Sequence, residues 1–284
     1  MARYGGAGFF GRRIMFSSAL GLRSQLERFS RRISFKRRMP RKFGGGAIFV
    51  TPSAALAFWY KPLAAIGGAL LERLAEVIEP GDCVWDVGAN VGLASFAAAA
   101  LAGPSGRVLA IEPDPFLVGL LERSAARCGP SSAPVDVLAL AVADTDGLVQ
   151  FCRATRSRSS NHLAGYGESQ TGGVLATRWV PAKTLDSLLD YFPPPRVLKI
   201  DVEGAEKLVL AGAVKVLSEH QPVVICEVAS RFARCVSDQL HSAGYTFYDL
   251  EASPAARKPL ETATADTIAF PAARDPRLAR RPAR

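Results

Sequence analysis

The chain has no Cys-x-x-Cys pair; its five cysteines, at positions 83, 128, 152, 226 and 235, are odd in number and scattered. That spacing excludes a disulfide framework and a zinc ribbon, and points to a reducing, cytoplasmic compartment. Histidine is scarce as well. His162, His220 and His241 are too dispersed to suggest a metal cluster, so no metal is expected. Acidic residues are missing from the beginning of the chain. Residues 1–43 carry twelve Lys or Arg against the single acid Glu27, so the remainder is close to neutral despite an overall charge of +9. No long apolar core with a small-residue cleavage site marks a secretory signal, although an Arg-rich, acid-poor make-up overlaps with organellar transit peptides. An uninterrupted apolar run is lacking too. Between Phe43 and Leu71 Lys61 is the sole charge, but Gly44–Gly46, Pro52 and Pro62 break the stretch before it reaches the length of a membrane helix.

What is present is a core-forming sequence with 49% hydrophobic residues, organised by alternation. Residues 1–46 are expected to form a basic, disordered arm able to meet nucleic acid, anionic membrane or an acidic partner, and 47–80 a helical lead-in. The spacing of Leu70, Leu71, Leu74, Val77 and Ile78 against Glu72, Arg73, Glu76 and Glu79 predicts an amphipathic helix over Ala64–Ile78. Residues 81–270 read as one α/β domain, and 271–284, rich in Pro and Arg, as a frayed tail. Within the domain, strands are expected at 83–87, 107–111, 135–142, 196–200 and 222–226, with shorter ones at 245–250 and 267–270. Helices fall between them: 93–101, 116–128, a helix from Glu206 to about Leu217, and 232–243. This alternation predicts a Rossmann-like, doubly wound, mostly parallel sheet. The weakly patterned stretch 147–180 reads as a loop-rich insertion, with a short strand at 148–152 that Trp179-Val180 pairs back onto; Arg153–Gly173 is the place expected to meet substrate.

Ligands of such sheets lie beyond the carboxyl ends of the strands, and every strand end here is polar. Asp86 and the turn Gly88-Ala-Asn-Val-Gly92 close the first strand, Glu112 the second, Asp144 follows the third, Asp201 and Glu203 the fourth and Glu227 the fifth. Glycines admit a ligand close to the backbone, and a carboxylate after the next strand can accept both hydroxyls of a ribose. A dinucleotide-binding oxidoreductase would show Gly-x-Gly-x-x-Gly at the turn. Here Asp86 would repel a pyrophosphate and attract an amino-acid ammonium, which favours S-adenosylmethionine over NAD. Asp86, Gly88, Asn90, Gly92, Glu112 and Asp144 are therefore the expected cofactor residues.

These motifs resemble those of the FkbM-type class I methyltransferases across roughly residues 80–230. The matching segments are Asp86-Val-Gly-Ala-Asn-Val-Gly92, Ile111-Glu-Pro-Asp114, Ala141-Val-Ala-Asp144, Thr184-Leu-Asp186, Lys199-Ile-Asp-Val-Glu-Gly-Ala-Glu206 and Cys226-Glu227. The resemblance implies a seven-stranded sheet whose last strand is antiparallel, S-adenosylmethionine as donor, and O-methylation of a small molecule, sugar or glycan. A hydroxyl acceptor must lose a proton, and Asp201, Glu203 and His162 are the candidate bases. The basic arm adds the alternatives of an RNA-associated or membrane-associated methyltransferase.

Overall fold

A computed structural model of the chain describes residues 30–167 and 172–275. Its strands are β1 (Phe35–Arg38), β2 (Ala47–Val50), β3 (Cys83–Val87), β4 (Arg107–Ile111), β5 (Val135–Leu138), β6 (Ala141–Val142), β7 (Gly147–Ala154), β8 (His162–Leu163), β9 (Val174–Lys183), β10 (Val197–Ile200), β11 (Val223–Glu227), β12 (Tyr245–Asp249) and β13 (Asp266–Pro271). Its α-helices are α1 (Ala57–Tyr60), α2 (Leu63–Val77), α3 (Leu93–Ala102), α4 (Pro115–Ala125), α5 (Leu185–Leu188), α6 (Glu206–Ala211) and α7 (Ala233–Ser242). Seven strands form one sheet in the order β12-β13-β11-β10-β3-β4-β5, parallel except for β13, which runs against both its neighbours. This is the doubly wound, mostly parallel sheet expected from the alternation, with its last strand reversed.

Side chains alternate across each strand, so each central strand feeds two cores. Val84, Val108 and Ala110 pack towards α2, α3 and α4 with Leu71, Phe96 and Leu121, while Trp85, Leu109 and Ile111 pack on the other face with Leu185, Val209 and Leu240. Burial on both faces is why these strands read as unbroken apolar runs. Among the described residues no helix is long and apolar enough to cross a membrane.

Several boundaries differ from expectation. Residues 30–46 are not a disordered arm: β1 pairs antiparallel with β2, and Phe43, Met39 and Phe49 enter the core. The expectation for residues 1–29 lies outside the described residues, as does that for 276–284. Residues 271–275 are likewise structured, since Pro271 closes β13 and the buried Asp275 carboxylate accepts from the Tyr248 hydroxyl at 3.0 Å. Arg73 is buried, paired with Glu76 at 3.1 Å and donating to the Ala252 carbonyl, so the polar stripe of α2 is partly an internal contact.

The third strand divides at Leu138: β5 stays in the main sheet, and β6 joins a second sheet of order β6-β9-β7-β8. The insertion is therefore mostly a sheet rather than a loop. Its pairing includes Val149 with Val180 and Gln150 with Trp179. The helix after Glu206 stops at Ala211, and Gly212, its C-cap, abuts the Ala143 carbonyl, where a Cβ would lie 2.3 Å away. The chain then resumes in a short turn whose free N–H groups at Lys215 and Val216 are accepted by Asp186.

Candidate active site

The first turn is fixed by backbone contacts before any ligand is considered. Gly88 and Ala89 both donate to the Ile111 carbonyl at 3.0 Å, which folds the end of β3 over the end of β4. Gly88 has φ +75°, and a Cβ there would fall 1.8 Å from the Asp201 carbonyl oxygen. Only glycine lets this turn touch the end of β10. Two residues on, Asn90 adopts φ +53° and its N–H donates to Glu112 Oε2 at 3.0 Å, while Asp114 N–H donates to Oε1 at 2.8 Å. Burial raises the Glu112 carboxyl to about 7, against those two N–H bonds, which pull it down.

Gly88, Asn90 and Glu112 line a cavity of 310 Å³ together with His162, Asp201 and Glu203. These are six of the nine residues expected at the site. The Asn90 Oδ1 atom is buried there without a partner, an arrangement a bound polar ligand would satisfy.

The other three lie elsewhere. Asp86 is buried beneath α3, where it accepts from Ser95 Oγ at 2.5 Å and pairs with Lys199 Nζ at 3.0 Å. In register opposite Lys199 on β10, it spends its charge inside the protein and does not line the cavity. Lys199 also donates to the Gly88 carbonyl at 2.9 Å and lies 3.4 Å from Asp201. Burial alone would lower this ammonium, but Asp86 and Asp201 hold it well above the ordinary lysine value. Gly92 starts α3 at φ +84°, and its missing Cβ makes room for Phe96 and Leu121. Its role there is helix packing. Asp144 is exposed, carried away from the main sheet by β6.

Arg158 and Asn161, which sequence reasoning missed, roof the cavity. Arg158 pairs with Asp114 at 2.5 Å, and Asn161 donates to the same carboxylate oxygen at 2.9 Å; all three side chains are buried. The guanidinium also lies over the Phe116 ring, 4.2 Å from its centroid, and donates to Ser53 and to the Arg31 carbonyl. Ser157 Oγ adds bonds to the carbonyls of Ser53 and Ala54. The roof is thus fastened to the N-terminal segment on one side and to the start of α4 on the other.

Behind it opens a second cavity of 710 Å³, lined by Ala54, Ala55, Arg156, Ser160, Glu206, Thr264 and others, which shares Ser159, Glu203 and Glu227 with the first. The shared wall is acidic. The negative charge of Asp201, then desolvation of the carboxyl against the cavity wall, then Asp266 raise Glu227 to about 8, although the residue as a whole is exposed. Burial also raises Glu206, which accepts from Gly204 N–H at 2.7 Å. Glu203 sits at φ +56°, a strained conformation for a side-chain-bearing residue. His162 Nδ1 faces the Ser160 carbonyl at 2.9 Å, and since a carbonyl only accepts, Nδ1 donates in this bond.

Comparison with known proteins gives the following likenesses. Residues 86–266 match the family described as the Methyltransferase FkbM domain. A hexuronic acid methyltransferase of Haloferax volcanii, AglP, is 26% identical over 158 residues, which are 55% of this chain and 60% of that protein. The chain thus spans less than two thirds of that relative. Among solved structures, the methyltransferase FkbM of Methylobacillus flagellatus is 16% identical over 70% of this chain and 50% of its own, with a TM-score of 0.45. Aeropyrum pernix fibrillarin, solved with S-adenosyl-L-methionine, is 13% identical over 80% of this chain and 90% of its own, with a TM-score of 0.43.

Proposed function

Because the chain belongs to the FkbM methyltransferase family, we propose that it transfers a methyl group from S-adenosylmethionine to a hydroxyl of a small molecule or glycan. The observation that carries this reading is the pair of adjoining cavities at the carboxyl ends of the strands, one ringed by Gly88, Asn90 and Glu112, the other opening beyond an acidic wall. The residues of the smaller cavity fit the donor: a buried carboxylate suited to ribose hydroxyls and an unpartnered buried amide oxygen. S-adenosylmethionine supplies, when bound, an electrophilic methyl group on a sulfonium.

The protein's own contribution is placement and proton removal. Ser159, Glu203 and Glu227 stand where the two cavities meet, so an acceptor in the larger one presents its hydroxyl towards the smaller. Asp201, Glu203 or His162 accepts the hydroxyl proton. The roof of Arg158 and Asn161 keeps water from the point of transfer. A glycan acceptor is supported by the sugar-acid activity in the name of the Haloferax relative and by the size of the second cavity. The test is calorimetric binding of S-adenosylmethionine, followed by transfer of its labelled methyl to hexuronate-containing and neutral glycans, with products identified by mass. Failure to bind the donor would overturn the reading.

A further inference from the structure

From Ser30 to Lys61 the chain holds eight Lys or Arg and no Asp or Glu, and the structure folds this stretch into one module, the β1–β2 hairpin with α1 packed against it. The packing is specific. Arg37 on β1 donates to the carbonyls of Phe58 and Lys61 at the two ends of the α1 turn, and the rings of Phe35 and Trp59 pack tilted, with centroids 6.5 Å apart. What the module leaves outside is unusual. Trp59 is 57% exposed, Tyr60 71% and Ile33 44%, beside the exposed ammonium of Lys61. Isolated surface apolar residues need no explanation, but two adjacent exposed aromatics on a module of one charge sign do.

We propose that this face, formed by Ile33, Phe35, Trp59, Tyr60 and Lys61, docks on the surface of an anionic lipid bilayer. Trp and Tyr carry an apolar body and a polar tip, which suits the depth of lipid headgroups, and the surrounding cations meet the negative surface charge. Nucleic acid would share the charge but would use ring faces standing clear for base stacking, whereas the Trp59 ring leans on Phe35. The position has a functional corollary. Ala54 and Ala55 line the larger cavity, and the four residue steps from Ala55 to Trp59 reach at most about 14 Å. A hydroxyl acceptor displayed at the bilayer surface would therefore lie within reach of the cavity without being extracted. The docking face itself does not depend on the proposed reaction.

The full chain is mixed with vesicles of phosphatidylcholine alone or with roughly a third phosphatidylglycerol. In a Trp179→Phe background, with Trp85 buried, Trp59 becomes the responsive fluorophore. Sedimentation with the anionic vesicles and a blue shift of Trp59 emission are expected, with Trp59→Ala/Tyr60→Ala and Lys61→Glu each weakening binding by at least about tenfold. Urea unfolding of the same variants, matched to the parent, checks their folding. Equal vesicle binding by parent and variants would assign attachment to other basic residues and overturn the proposal. So would an absence of vesicle binding, or binding of an RNA oligonucleotide in its place that the same variants abolish.

Discussion

Replacing Glu112 by glutamine keeps the side chain's shape but turns one oxygen into a donor facing either Asn90 N–H or Asp114 N–H. Loss of charge-assisted acceptance predicts S-adenosylmethionine binding about 10- to 100-fold weaker by calorimetry. Wild-type donor affinity is expected to fall as pH drops through about 7, where the buried carboxyl takes up a proton, and the variant should show no such step. Glu227 offers a second residue-scale test. Its carboxyl is raised first by the charge of Asp201, so Asp201→Asn should move the Glu227 titration to lower pH, as followed by carbon NMR of labelled glutamate. No shift would mean that the two carboxylates do not share a field.

At the scale of elements, the roof and the first turn respond differently to change. Arg158→Met leaves the buried Asp114 carboxylate without its cation, which is expected to cost about 3 kcal/mol in urea unfolding, and adding Asp114→Asn should recover much of it. Gly88→Ala pushes a methyl group into the Asp201 carbonyl and should lose about 2 kcal/mol or more while also weakening donor binding. The two elements also differ in how legible they were. The β3 turn and Glu112 can be read from sequence because a buried strand, glycines and an acid follow one another locally. Arg158 cannot, since its partners Asp114 and Ser53 are 44 and 105 positions away and meet it only in the fold. The insertion reads as loop in sequence because its outer face carries Leu148 and Trp179 in the open, so apolar residues occur on both faces and period-two alternation is blurred. Asp86 misled for a related reason: its place in a polar motif suggested a ligand, but strand alternation turns it under α3 towards Ser95, with Lys199 beside it.

For the whole molecule, the raised carboxyls of Glu112 and Glu227 set an uncommon pH profile. In the window between their unfolded value of about 4.5 and their folded values of about 7 and 8, the native state holds more protons than the unfolded chain. Their contribution to stability is therefore full below that window and declines as pH rises through it. Melting temperature should fall from about pH 5 to about pH 8, and a rise across that range would refute the assignment. The seven-stranded, mostly parallel sheet and its reversed β13 were foreseeable from alternation and resemblance, whereas the ordered segment at 30–46 was hidden by a composition that reads as a tail. The two cavities share only Ser159, Glu203 and Glu227 among the described lining residues, even where, as at 156–163 and 201–206, neighbouring side chains of one stretch face different cavities. Acceptor preference and donor affinity are in that sense independently adjustable. A library randomised at Ala55, Arg156, Ser160 and Thr264 would search for new acceptors while leaving the donor-binding residues at their parental settings.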